Sequence, residues 1–150
     1  MKEYYKYANG YINLNAENLY LTNSGNWQET HDLQEKNPKS KRQNASRIAG
    51  NNFFIILVLC AFTVLLYFGL TKNKLLLGLP VAAYFVINYF KSEQGKRYKI
   101  PLEKIERIEK FDKGLKIIFR NGNNEPDFEI VDNVDPKGIE TLIGLKPTTI

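Results

Sequence analysis

Apolar positions follow two regimes along this chain. Between Phe53 and Phe90 they run almost without interruption, whereas residues 1–52 and 91–150 intersperse them with charged and polar side chains. The run FFIILVLCAFTVLLYFGL, from Phe53 to Leu70, contains no charge. As a helix it would reach roughly 27 Å, close to the hydrocarbon thickness of a bilayer. A helix that is apolar on every face needs lipid or a second apolar shell around it, and the remaining residues are too few to supply the shell. A second run, LLLGLPVAAYFVINYF from Leu75 to Phe90, is shorter and carries Pro80 and Asn88. The connection Thr71-Lys72-Asn73-Lys74 is so short that the two helices should be antiparallel neighbours. The expectation is therefore a transmembrane hairpin over 53–90, with spans 53–70 and 75–90. A re-entrant or interfacial second segment is the alternative. Gly78 and Ala82, four residues apart, are the expected helix-packing positions.

The flanks show the shorter period of strands. Tyr11-Ile12-Asn13-Leu14 and Leu19-Tyr20-Leu21-Thr22 alternate on either side of a turn at Asn15–Asn18, and Trp27–Thr30 is a candidate third strand. Residues 32–52 are polar and basic, with Pro38 in the middle, and read as a linker that turns helical after Ser40. After the apolar block, Arg97–Leu102, Leu115–Arg120 and Phe128–Val131 read as strands, with turns at Asp112-Lys113-Gly114 and Asn121-Gly122. Ile105, Ile108 and Phe111 fit one more strand, with helix as the alternative. Asp135-Pro136 is an N-cap followed by an N1 proline, opening a helix with Ile139, Leu142 and Ile143 on one face. Neither flank alone can bury a sheet face. Together they make one split domain, in which residues 1–31 and 91–150 complete a sandwich or barrel of about seven strands with a closing C-terminal helix.

Charge selects the partner of the apolar block. The chain carries a formal +5, and its pI is near 9.2. Its basic residues frame the block rather than interleaving with aromatics, which argues for a bilayer and against nucleic acid. Lys36, Lys39, Lys41, Arg42 and Arg47 precede it, and Lys91, Lys96 and Arg97 follow it. These eight are the candidate contacts to anionic lipid headgroups. Because the connecting loop has only Lys72 and Lys74, the positive-inside bias places both termini in the cytoplasm of a bacterial inner membrane. The amino terminus, Met1-Lys2-Glu3-Tyr4-Tyr5-Lys6-Tyr7, has no apolar stretch, so no cleavable signal peptide is expected. Tyr4, Tyr5 and Tyr7 are expected to pack in the core or at a sheet edge.

The segment Ile100-Pro101-Leu102-Glu103-Lys104-Ile105-Glu106-Arg107-Ile108, the strand Gly114–Phe119 and the helix from Asp135 carry a resemblance to a known architecture. Their order resembles the pleckstrin-homology-like (PH-like) fold, and more narrowly the bacterial membrane-anchored YcxB-like proteins. The resemblance implies an α+β membrane protein with the hairpin inserted into the PH-like domain. It carries no catalytic signature and no ligand, because one fold of this kind serves many functions.

Candidate chemistry is sparse. With one histidine, His31, and one cysteine, Cys60, neither a His-based metal cluster, a catalytic triad nor a disulfide can be assembled within the chain. No phosphate-binding glycine motif occurs, and the pairs Glu103/Glu106 and Glu125/Asp127 sit among lysines as surface charge. The expectation is a non-enzymatic protein without cofactor. It would act as an adaptor or scaffold for a protein partner, through a groove, a sheet edge or self-association. The alternatives are an anionic-lipid or envelope sensor, and an accessory or immunity subunit of a larger membrane complex.

Overall fold

The computed structural model describes residues 2–69, 79–92 and 95–145. In chain order the elements are β1 (Glu3–Tyr7), β2 (Gly10–Leu14), β3 (Asn18–Thr22), a 3-10 helix (Trp27–Thr30), α1 (Pro38–Gly69), α2 (Leu79–Ser92), β4 (Tyr98–Pro101), a second 3-10 helix (Leu102–Lys104), β5 (Ile105–Phe111), β6 (Gly114–Arg120), β7 (Pro126–Val131) and α3 (Pro136–Ile143). The chain divides into two units, Met1–Asn44 with Gly95–Ile150, and Ala45–Gln94.

The first unit is α+β. It holds two antiparallel sheets, ordered β1-β2-β3-β4 and β5-β6-β7, where a sandwich or a single barrel was expected. The split in the sequence closes within the first sheet. Strand β3 precedes the apolar block and β4 follows it, yet they pair in register, with Leu19 opposite Ile100 and Leu21 opposite Tyr98. One buried cluster draws on both sheets and on α3. Ile12, Leu14, Leu19, Leu21 and Ile100 come from the first sheet, Leu115, Ile117, Phe119 and Val131 from the second, and Leu142 from the helix. Each such side chain, fully buried, contributes about 1.5–3 kcal/mol. Helix α3 begins as its sequence requires: the Asp135 carboxylate accepts from the Lys137 N–H, and Pro136 occupies the first turn.

One expectation about the first strands is corrected. Trp27–Thr30 is a 3-10 helix rather than a strand. The Asn26 side chain accepts from the Gln28 N–H at 3.0 Å, and the Glu29 carboxylate turns back to the Asn23 N–H, so local polar bonds tighten the backbone. The missing strand is instead β1, whose alternation buries Tyr5 and Tyr7 and exposes Tyr4. Ile105–Phe111 adopts the strand form, with a bulge between Ile105 and Arg107.

Helix α1 is long and apolar enough to cross a membrane. The window that satisfies this test has a mean hydropathy of 2.2, and none of it is buried. It starts earlier than expected, at Pro38. Asn37 and Ser40 cap it reciprocally: Ser40 N–H donates to Asn37 Oδ1 at 2.8 Å, and Asn37 N–H donates to Ser40 Oγ at 2.9 Å. Thr63 donates its hydroxyl to the Leu59 carbonyl, one turn back in the same helix. The described part of helix α2 has 14 residues. The expected two-helix hairpin is not shown, since the connection at 70–78 lies outside the described residues. Gly78, expected to pack against the first helix, lies there too. Ala82 is exposed, and the half-buried positions of α2 are Ala83, Val86 and Ile87, at helical spacing on a different face.

Candidate functional site

Two sheets present four edge strands, and the chain treats them unequally. At β4, the segment before α1 adds a parallel bridge: Lys36 N–H donates to the Lys99 carbonyl at 3.3 Å, and Lys99 N–H donates to the Gln34 carbonyl at 2.9 Å. At β1, Asp135 N–H donates to the Lys6 carbonyl at 3.0 Å, and Ala8 N–H donates to the Asp132 carbonyl at 2.9 Å. These two edges are closed by backbone, β1 over its C-terminal half.

Strand β7 is closed by side chains. Lys36 Nζ donates to the Phe128 carbonyl at 2.6 Å, and Lys96 Nζ donates to the Ile130 carbonyl at 3.4 Å. The same ammonium of Lys36 pairs with Glu129 at 2.9 Å and Asp127 at 3.2 Å, and lies over the rings of Phe119 and Tyr98 at 5.2 and 5.6 Å. Glu129 also accepts from the Tyr98 hydroxyl and from Lys96. Lys36 is 4% exposed and Glu129 5%, so a buried cation is matched to a buried carboxylate with further hydrogen bonds around both.

That geometry fixes the direction of the remaining backbone groups. Along an antiparallel strand, a residue's N–H and C=O point to one side, and the side alternates from residue to residue. Phe128 and Ile130 turn their carbonyls to the free edge, so Glu129 and Val131 bond to their register partners Ile117 and Leu115. Lys116 and Ile118 therefore turn toward β5, where they face Glu109 and Arg107. The intervening residues Ile108 and Lys110 direct their N–H and C=O groups outward. Among the described residues nothing hydrogen-bonds to them from that side. β5 is the open edge.

The candidate headgroup residues separate in the structure. Lys36 leaves the set, because it lies inside the domain, where among the described residues it is the one cation paired with Asp127 and shares Glu129 with Lys96. Lys96 is half-exposed and held by Glu129. The N–H and C=O of Arg97 are both bonded to the side chain of Asn44, at 3.2 and 3.0 Å, which ties the first turns of α1 to the start of β4. Lys39, Lys41 and Arg42 are exposed and form no ion pair among the described residues, while Arg47 is half-buried. Lys91 lies in the last turn of α2, and its side chain lies outside the description.

The carboxylate pairs dissolve into separate contacts. Glu106 pairs with Arg120 at 2.6 Å, Asp127 with Lys36, and Glu125 accepts from the Asn121 side chain. Burial raises the pKa of the Tyr5 hydroxyl above its usual value, and its hydrogen bond to Glu3 adds to the rise. Among the described residues, no group of three or more His, Cys, Asp or Glu is placed to hold a metal ion. Sequence reasoning missed Glu129 and Tyr98. The available signal was Val131: if it faces the core, strand alternation puts Glu129 beside it. No protein-family model, curated protein or solved structure matches this chain.

Proposed function

We propose that this chain is a non-catalytic inner-membrane protein whose PH-like domain acts as a cytoplasmic-face adaptor, binding an extended segment of a protein partner by strand addition at β5. The open β5 edge carries the reading. Strand addition needs consecutive outward N–H and C=O groups on an otherwise complete sheet, and Ile108 and Lys110 supply them beside a closed β7. The order of four strands, three strands and a closing helix over one core supports the PH-like assignment. The exposed apolar length of α1 supports the membrane anchor.

Lipid sensing by the basic flank fits less well. Arg42 lies about 16 Å along α1 from Phe53, twice the Debye length of about 8 Å, and only Arg47, about 9 Å away, comes near headgroup depth.

The test is a photo-cross-linking residue at Glu106 in the full-length chain in its native membranes, combined with Lys110→Pro or Lys110→Ala. Proline at 110 deletes an outward N–H and leaves the β5–β6 ladder in place. One discrete cross-linked protein, lost with proline and kept with alanine, is the expected result. A pattern identical in all three chains would overturn the reading.

A further inference from the structure

The outer face of the four-stranded sheet carries a second surface. Register places Lys6 opposite Tyr11, Tyr4 opposite Asn13, Asn13 opposite Tyr20 and Tyr20 opposite Lys99, so these side chains share one face. A loop lies flat over its centre. Asn13 Nδ2 donates to the Gly25 carbonyl at 2.8 Å, and the Thr22 hydroxyl donates to Asn13 Oδ1 at 2.7 Å. Gly25 has φ +73°, and a Cβ there would come within 3.0 Å of the Tyr11 ring. The loop thereby sets Trp27 edge-on to Tyr20, with Lys2 Nζ 5.3 Å from the indole. Tyr4, 63% exposed, stands edge-on to Tyr11 at 6.3 Å.

The nearby carboxylates are occupied. Glu3 accepts from the Tyr5 hydroxyl, and Glu29 accepts from the Asn23 N–H and the Ser24 hydroxyl. Lys2, Lys6 and Lys99 form no ion pair among the described residues. On the strands of this face the charged side chains, Lys6 and Lys99, are both cationic, and Lys2 joins them at the Trp27 ring, while Glu29 in the loop keeps its charge and is held by neutral donors.

We propose that this face docks on an anionic bilayer surface, with Tyr4, Tyr11 and Trp27 at the interfacial layer and Lys2 and Lys6 against lipid phosphates. Charge complementarity and ring chemistry commit it to lipid: tyrosine and tryptophan concentrate at membrane interfaces, and each lysine there gains attraction from anionic headgroups. Protein interfaces, by contrast, are depleted in lysine. The proposal rests on the membrane part of the reading above and not on β5.

Trp27 is the only tryptophan of the chain, so its fluorescence reports this face alone. The full-length protein is placed in nanodiscs of phosphatidylcholine, with or without phosphatidylglycerol, in which the acyl chains are brominated. Co-elution with the discs tests anchoring separately. Quenching of Trp27 that needs phosphatidylglycerol and fades with salt is the expected result. Lys2→Gln and Lys6→Gln should each lower the docked-to-free ratio about five-fold. Tyr4→Ser should weaken quenching without altering its salt dependence. Equal quenching in the two lipids, or none in either, would overturn the proposal, and the second result would leave the face to a protein partner.

Discussion

Strands β5 and β7 bound the same three-stranded sheet, yet one edge is open and the other shut. Both are short, and both mix acids with apolar residues. The difference is what arrives from elsewhere in the chain. At β7 two ammonium groups take the outward carbonyls, and the same two balance the charge of Asp127 and Glu129, Lys36 pairing with both and Lys96 with Glu129. At β5 the charges stay at the surface, in pairs such as Arg107 with Glu109 at 2.9 Å, and among the described residues nothing hydrogen-bonds to the outward backbone of Ile108 and Lys110. An edge strand is a pairing hazard that proteins usually blunt. Here Lys36 and Lys96 together reduce that hazard and supply the counter-charge that Asp127 and Glu129 require. An edge left open beside one so thoroughly closed is the place to look for a partner.

The contrast predicts a graded series. Lys36→Ala should be the most damaging change, costing about 3 kcal/mol, because it removes the buried cation from Glu129 and the paired cation from half-buried Asp127. Chemical denaturation of the full-length protein in detergent measures it. Lys36→Met combined with Glu129→Gln should cost clearly less than Lys36→Ala, and equal losses would show that packing rather than charge holds the segment. Gly114→Ala tests the other end of the β6–β7 pair by sterics alone. Its Cβ would lie 2.0 Å from the Val131 carbonyl oxygen, and the expected loss is about 1–3 kcal/mol. Lys96→Ala should cost less than about 1 kcal/mol, since the ammonium is half in solvent and its pair is screened. Lys110→Pro should change stability by no more than about 0.5 kcal/mol while abolishing partner capture. Hydrogen exchange checks the open edge directly: the amides of Ile108 and Lys110 should exchange faster than those of Arg107 and Glu109. Similar protection along the whole of β5 would mean that its edge is covered.

Much of the fold was legible because local physics sufficed. The uncharged run after Phe53 is helical and exposed, as its length and composition demand. Gly114–Arg120 alternates cleanly and lies at the centre of its sheet, with Leu115, Ile117 and Phe119 buried. Asp135-Pro136 starts a helix where capping chemistry says it must. The candidate site was less legible. Lys36 and Lys39 are three residues apart in one basic segment, yet the first is buried and the second exposed. In β7, apolar periodicity would turn Phe128 and Ile130 inward, but Phe128 is 53% exposed and Glu129 takes the core side. Alternation tells which residues share a face, and that much is readable along the chain without its fold. Which face turns inward depended on a cation delivered from 91 residues earlier in the chain to Asp127, together with the Tyr98 hydroxyl bonded to Glu129. Burying a carboxylate is unfavourable until such partners meet it, and only the tertiary structure brings them together.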